Sequence, residues 1–197
     1  MKQKSFSLFV CIMLIATILP ISTTVFAGNV INPEIVDDVG DTDLVFLDIE
    51  SAWFYENPSE PDYLYTSLKI NDLKENFNAV FSIRWTFNGV VYVAGLDTFS
   101  YKSSEFRGGL RQRATFWQWK SMSRCDGTFD HSTNIITWKI PKNSIGNPQQ
   151  GDVLTNTECS AVAGFPLSLI YLFMGVKDRD FAPDEHGTYG QNYVIQY

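Results

Sequence analysis

Histidine is nearly missing from this chain: His131 and His186 are the only two in 197 residues. Two imidazoles leave little room for a catalytic zinc centre. Neither stands in an H-E-x-x-H pattern, and no G-x-S-x-G elbow is present to seat a nucleophilic serine. Both histidines read as loop or surface residues. Cysteine is scarce as well, with Cys11, Cys125 and Cys159 and no C-x-x-C spacing. Basic residues number 15 against 22 acids, a formal net charge of −7. That balance repels nucleic-acid phosphates and anionic lipid headgroups, so a nucleic-acid partner is not expected. No internal repeat and no linker divides the chain, and no segment shows a sustained helical period. One enzyme class stays open, because the carboxyl pair of a glycoside-cleaving site leaves no local signature.

What is present begins with a secretory leader over residues 1–27. Lys2 and Lys4 make a basic start, Phe6 to Leu19 is mostly apolar, and Val25-Phe26-Ala27 ends in the small residues read by a leader peptidase. The apolar stretch is short for a bilayer span, which needs roughly 20 residues. Pro20, Ser22, Thr23 and Thr24 further favour cleavage before Gly28 over a retained anchor. The expected product is a single domain over residues 28–197, secreted or at the cell surface, with no stable membrane span. Its net charge moves from −7 to −9, because the leader takes two lysines and no acid. Two cysteines then remain. Export and the even count point to a Cys125–Cys159 disulfide, which would close a loop of about 33 residues and add roughly 3–4 kcal/mol. Two separate buried thiols are the other reading.

The clearest local signal is Phe77 to Leu96. Phe77, Ala79, Phe81, Ile83, Trp85 and Phe87 alternate with mostly polar residues, the period of a strand with one face on a core. Asn88-Gly89 follows, a pair that tolerates the positive φ of a two-residue hairpin turn. Strands are also expected over Leu44–Tyr55, Tyr63–Ile70, Arg113–Met122 and Ile135–Ile140, within Gly151–Gly164, and at Tyr193–Tyr197. Thr98–Gly109 reads as a long loop. Pro141–Ile145 reads as a short helix. Pro166–Val176 reads as a near-continuous apolar strand; the longer run Ala161–Val176 is too short for a membrane helix and is interrupted by Gly164, Pro166 and Ser168. Turn signals recur about every 8–14 residues, and no helix beyond a turn or two is expected. The fold class is therefore all-β: an antiparallel β-sandwich, jelly-roll-like, of about eight or nine strands.

Several phrases carry a likeness when taken in order: DDVGD followed by LDIESAWFY, then YLYTSLKINDL, FSIRWTFNGVVYVA, IITWKIPKNSIGNPQQGDVL and DRDFAPDEHGTYG. Together they resemble secreted β-sandwich accessory domains carried by extracellular peptidases and surface proteins of bacteria and archaea. The likeness runs over roughly Pro33 to Tyr193. It implies a jelly-roll-like sandwich and a non-catalytic role, and it assigns no residue a function.

Two features could carry chemistry. Asp37, Asp38, Asp41 and Asp43 crowd around Gly40, and Asp178, Asp180, Asp184 and Glu185 lie near the other end. First and last strands of a sandwich often lie side by side, so the two clusters could meet. Calcium takes six to eight oxygens from carboxylates and carbonyls in flexible loops. The spacing is not that of an EF-hand, and a solvated acidic surface capping its own turns is the plainer reading. The second feature is aromatic: Trp53, Trp117 and Trp119 are candidates for stacking on sugar faces, with Tyr55, Tyr63, Tyr65 and Trp138 nearby in pattern. Large aromatics in a sandwich are more often core. Which face of the Trp117/Trp119 strand is buried is open.

The expectation is thus an exported, non-catalytic sandwich that binds a polysaccharide or a surface protein, with calcium as its one candidate cofactor. A small secreted enzyme acting on polysaccharide is the alternative from another class. A structural surface-layer component is the third.

Overall fold

A computed structural model describes residues 28–74, 78–98, 105–110, 122–164, 166–184 and 188–197. Two antiparallel sheets face each other. One has five strands in the order β1-β2-β3-β9-β8, and the other has seven, in the order β11-β10-β4-β5-β6-β7 with β12 paired to β10. In chain order these are β1 (Ile35–Val36), β2 (Ile49–Tyr55), β3 (Tyr63–Ile70), β4 (Ala79–Phe87), β5 (Val90–Asp97), β6 (Glu105–Leu110), β7 (Ser123–Arg124), β8 (Asp126–Asp130), β9 (Ile135–Pro141), β10 (Val153–Ala163), β11 (Arg179–Ala182) and β12 (Tyr193–Val194). Nine of the twelve have four residues or more, and three are two-residue edge pieces. The all-β sandwich is therefore the fold, and the long strands match the count expected from the turn signals.

Alternation drives the assembly. Phe81, Ile83 and Trp85 of β4 are at most 2% exposed, and Ile136, Trp138 and Ile140 of β9 are fully buried. Phe54 of β2 packs edge-on against Trp85 across the sandwich, with ring centroids 5.7 Å apart. Phe106 meets Trp138 in the same way at 6.1 Å. Each fully buried side chain of this size contributes roughly 1.5–3 kcal/mol by leaving water. The β4–β5 hairpin turns at Asn88 and Gly89, with φ of 49° and 73°. Both angles are positive, as a turn that follows the strands' twist requires.

Four segments depart from the sequence pattern. Glu105–Leu110, which but for Leu110 falls in the expected loop, is strand β6. Asp126–Asp130, for which no strand was expected, is the edge strand β8, its residues alternately exposed and half-buried. An edge strand shows one face to water, so its apolar signal is weak. Arg179–Ala182 in the acidic tail is strand β11. The largest correction is Pro166–Val176, which forms helix α1 (Leu167–Met174) and not a buried strand. An apolar run fits either state by periodicity alone, and the punctuation decides. Pro166 precedes the first turn. Gly175 closes the last, with φ of 70° and its N–H on the Leu172 carbonyl at 3.2 Å. No α1 residue is buried, and Leu172, Phe173 and Met174 are 66%, 88% and 68% exposed. Among the described residues no helix is long and apolar enough to cross a membrane.

The expected disulfide is absent, and Cys125 and Cys159 are free. Cys159 lies on β10, while Cys125 donates its N–H to Phe106 of β6. The order β10-β4-β5-β6 separates those strands by three spacings, about 14 Å. A disulfide tolerates a Cα separation of no more than about 7 Å. Burial pushes the Cys125 thiol up to about 12 and the Cys159 thiol well above the usual thiol value.

Candidate functional site

At one edge of the sandwich the two acidic segments meet. They do not meet through pairing of first and last strands. β1 lies in the five-stranded sheet beside β2, and β11 edges the seven-stranded sheet beside β10. The segment leaving β1 and the strand β11 come together across the gap between sheets. Alternation on β11 turns Asp180 and Ala182 inward and Arg179 and Phe181 outward. An inward charge on an edge strand discourages pairing with another chain, and here it also has internal donors. Ile49 N–H donates to Asp180 Oδ2 at 2.8 Å, and Phe181 N–H to Oδ1 at 3.0 Å.

Asp37, Asp180 and Asp184 each place a carboxylate oxygen within 4.8 Å of the others, and so do Asp41, Asp48 and Asp180. Five carboxylates thus share one edge. Asp48 holds the first loop in shape: both its oxygens accept Gly40 N–H at 3.0 Å, and Asn71 Nδ2 donates to Oδ2 at 2.8 Å. Lys177 stitches the segments together. Its Nζ donates to Asp41 Oδ2 at 2.8 Å and to the Asp41 carbonyl at 2.9 Å, and its backbone N–H donates to Asp43 at 2.7 Å.

Asp37 stands apart in this group. It is 9% exposed, and among the described residues neither of its carboxylate oxygens has a hydrogen-bond donor in bonding geometry. Burial first, then the charges of Asp180, Asp184 and Asp41, push its carboxyl up to about 8. Burial also raises Asp180, to about 6, and raises Asp184, where Asp41 adds to the effect. Burial opposes ionisation of Asp41 too, but the Lys177 hydrogen bond prevails and holds it below the usual carboxylate range. Carboxylates this close cannot all ionise in a partly dry site without a compensating cation. Lys177 supplies one charge. Among the described residues no further cation faces the group, and a proton or a metal ion can supply the rest.

Of the seven aspartates singled out in the sequence, Asp37, Asp41, Asp180 and Asp184 belong to these groups. Asp38 is exposed outside them, Asp43 is spent on Lys177 N–H, and Asp178 pairs with Arg179 Nε at 2.9 Å. Asp48 was missed by the sequence reading. Its signal was a single charge inside the apolar run Leu44–Ile49, at a position the fold buries completely.

The aromatic candidates divide. Trp117 and Trp119 lie outside the described residues. Trp53 sits on the outer face of the five-stranded sheet, in register with Ser67, which is in register with Thr137 and then Thr128. The next row is Tyr55, Tyr65, Lys139 and Asp126. An open depression of about 630 Å³ lies over the Trp53 row, walled by Gly28, Asn29, Thr133 and Ile135. The aromatic surfaces in and beside it are largely occupied. Trp53 is 7% exposed, Tyr55 and Tyr65 stack on each other at 4.9 Å, and the Lys139 ammonium covers Tyr63 at 4.3 Å. Two carboxylates reach this depression, and both are committed. Glu56 pairs with Lys142 and accepts from Tyr193 Oη at 3.1 Å, while Asp130 caps its own turn through Ser132 and Thr133.

In comparisons with protein-family models, curated proteins and solved structures, nothing matches this chain. The reading of the site rests on its own chemistry.

Proposed function

We propose that this protein is an exported, non-catalytic β-sandwich binding module whose edge is clamped by calcium. One observation carries the calcium: the buried Asp37 carboxylate has no donor in bonding geometry among the described residues and faces Asp180 and Asp184. An orphaned buried carboxylate costs several kcal/mol unless something neutralises it. The cluster offers carboxylate oxygens only, the donors of a hard divalent cation and not of a thiophilic metal. Asp37, Asp41, Asp180 and Asp184 come from two segments more than 130 residues apart. A cation between them would cross-link the two sheets.

The test is a calcium titration of chelator-stripped protein, followed by calorimetry and thermal melting. A ligand that binds only the folded state at a hundred times its Kd adds about 2.7 kcal/mol, or about 5–10 °C in Tm for a chain of this size. Asp37→Asn should abolish the rise. A Tm that ignores calcium in the unsubstituted protein would sink the reading and leave protons as the neutralising species.

For the bound partner, a carbohydrate is favoured by the depression over the Trp53 row. Thr128, Thr133 and Thr137 line it beside Trp53, and its volume is that of a small-ligand site. A glycan array read with the unsubstituted protein and with Trp53→Ala tests this. Equal binding by both, or by neither, argues for a protein partner instead.

A further inference from the structure

We propose that removal of the leader creates an internal ion pair: the new α-ammonium of Gly28 binds the buried carboxylate of Glu34. This rests on the exported reading, which supplies the cleavage. Hydrolysis breaks the Ala27–Gly28 amide. The water oxygen stays on the Ala27 carboxylate, and the Gly28 nitrogen leaves as an amine that is protonated near neutral pH.

Glu34 is 8% exposed and is held from three directions. Its Oε2 accepts Phe54 N–H at 2.8 Å, its carbonyl accepts Gln191 N–H at 2.7 Å, and its own segment leads straight into β1. No basic side chain among the described residues pairs with it. Burial leaves its carboxyl raised to about 7. A buried acid fixed in place without a cation is the half of a pair that a mature N-terminus can complete.

The other half is close by. Gly28 is buried, and a Cβ built on it would sit 2.6 Å from the Glu34 carboxyl carbon. A residue's amide nitrogen is about 2.5 Å from its own Cβ position, so the Gly28 nitrogen lies within about 5 Å of that carbon. The position is also fixed locally. Asn29 and Asn32 bond each other's backbone in both directions at 3.3 and 3.1 Å, and Asn29 Oδ1 accepts Ile31 N–H at 2.9 Å. The turn brings the chain back so that Gly28 lies over Glu34. Any side chain at position 28 would displace the carboxylate, so glycine is the residue that lets an amine approach it. Gly28 and Asn29 also wall the depression beside Trp53. Pairing therefore settles that wall only after the leader has gone.

The experiment has two preparations. The full chain is secreted from a host cell and the product is weighed intact. Separately, a chain beginning at Gly28 is made by cutting a protease tag fused directly before it, beside a version with one extra alanine ahead of Gly28. Each is combined with Glu34→Gln, and the four melting temperatures form a cycle. The expected result is a secreted product starting at Gly28. The extra alanine should lower Tm by several degrees in the unsubstituted protein and leave E34Q unmoved. The α-amine of the chain starting at Gly28 should titrate above the ordinary value of about 8, which keeps the pair testable should E34Q not fold. A secreted product starting elsewhere overturns the exported reading's cleavage point. An equal alanine effect in both backgrounds, or an α-amine titrating at its ordinary value, overturns the pair alone.

Discussion

Asp180 and Ile49 belong to different sheets, yet Ile49 N–H donates to Asp180 Oδ2 at 2.8 Å with both residues fully buried. The bond satisfies the first backbone donor of β2 with a side chain from β11, so the acidic edge is part of the scaffold as well as a candidate cation site. Asp180→Ala leaves that N–H without an acceptor, a loss of about 1–3 kcal/mol. Asp180→Asn keeps an oxygen and should lose less. Urea unfolding at pH 5 in chelator checks this, since at that pH Asp37, raised to about 8, keeps its proton and like-charge repulsion does not mask the lost bond. Both variants should lose any calcium response.

The pH dependence of the metal-free protein follows from Asp37. Its folded carboxyl is raised to about 8 from an ordinary 3.8. Between those values the folded state holds a proton that the unfolded state has released. Stability therefore falls as pH rises through that window and levels off above it, the reverse of an ordinary salt-bridged aspartate. Asp180, raised to about 6, acts in the same direction over the lower part of the window. Melting between pH 4.5 and 8.5 in chelator should show the decline, Asp37→Asn should flatten much of it, and saturating calcium should do the same. A Tm that climbs steadily over this range contradicts the account.

A second buried charge is already paired. Lys142 Nζ meets Glu56 Oε1 at 2.5 Å, with side chains 5% and 0% exposed. Lys142 sits in the 3-10 turn Lys142–Ile145, its Nζ also reaches the Tyr197 carbonyl, and Glu56 further accepts Gln196 N–H and Tyr193 Oη. This group ties the end of β2 to the chain's last residues. Lys142→Met strands a buried carboxylate, for a loss of about 3–5 kcal/mol. Lys142→Met with Glu56→Leu should cost less than the two single changes summed. Denaturant unfolding of the four proteins measures the coupling.

The sandwich was legible because β3, β4 and β9 carry large apolar residues at alternate positions, and Leu64, Leu68, Ile83, Trp85, Ile136 and Trp138 land where that spacing puts them. β6, β8 and β11 were hidden for a common reason. They lie toward or at sheet edges and are glycine-bearing or charged, so little apolar pattern marks them. The acidic segments were visible one at a time. Their meeting depends on which sheet edge each reaches, and that is set by strand order, which no local pattern encodes. Cys125 and Cys159 failed as a pair for the same reason. Parity and compartment say nothing of the strands lying between two thiols.

Those thiols give a direct check. With no bridge, a reductant should leave Tm unchanged, and a thiol reagent should label neither cysteine quickly in the folded protein. Cys159 is 1% exposed, and burial raises both thiols, so little thiolate is present at neutral pH. Both should react fully in denaturant, as mass spectrometry would count. A reductant-dependent drop of several degrees would instead require the strand order around β10 to be different.

Helix α1 offers a test of local structure that a buried strand would fail. Leu172, Phe173 and Met174 are 66%, 88% and 68% exposed, so polar replacements forfeit little packing. Each exposed change is expected to shift stability by no more than about 0.5 kcal/mol. Leu172→Gln, Phe173→Lys and Met174→Gln together should therefore stay within ~1.5 kcal/mol of the parent. Had Pro166–Val176 run as a core strand, alternate residues of the three would face the interior, and truncating even one would cost roughly 2–5 kcal/mol. Gly175→Val separates the two states again. Gly175 closes α1 at a φ of 70°, a region that a β-branched residue resists, so the helix should fray. In an extended strand the same change would be favourable. Urea midpoints of the triple variant and of Gly175→Val decide between them.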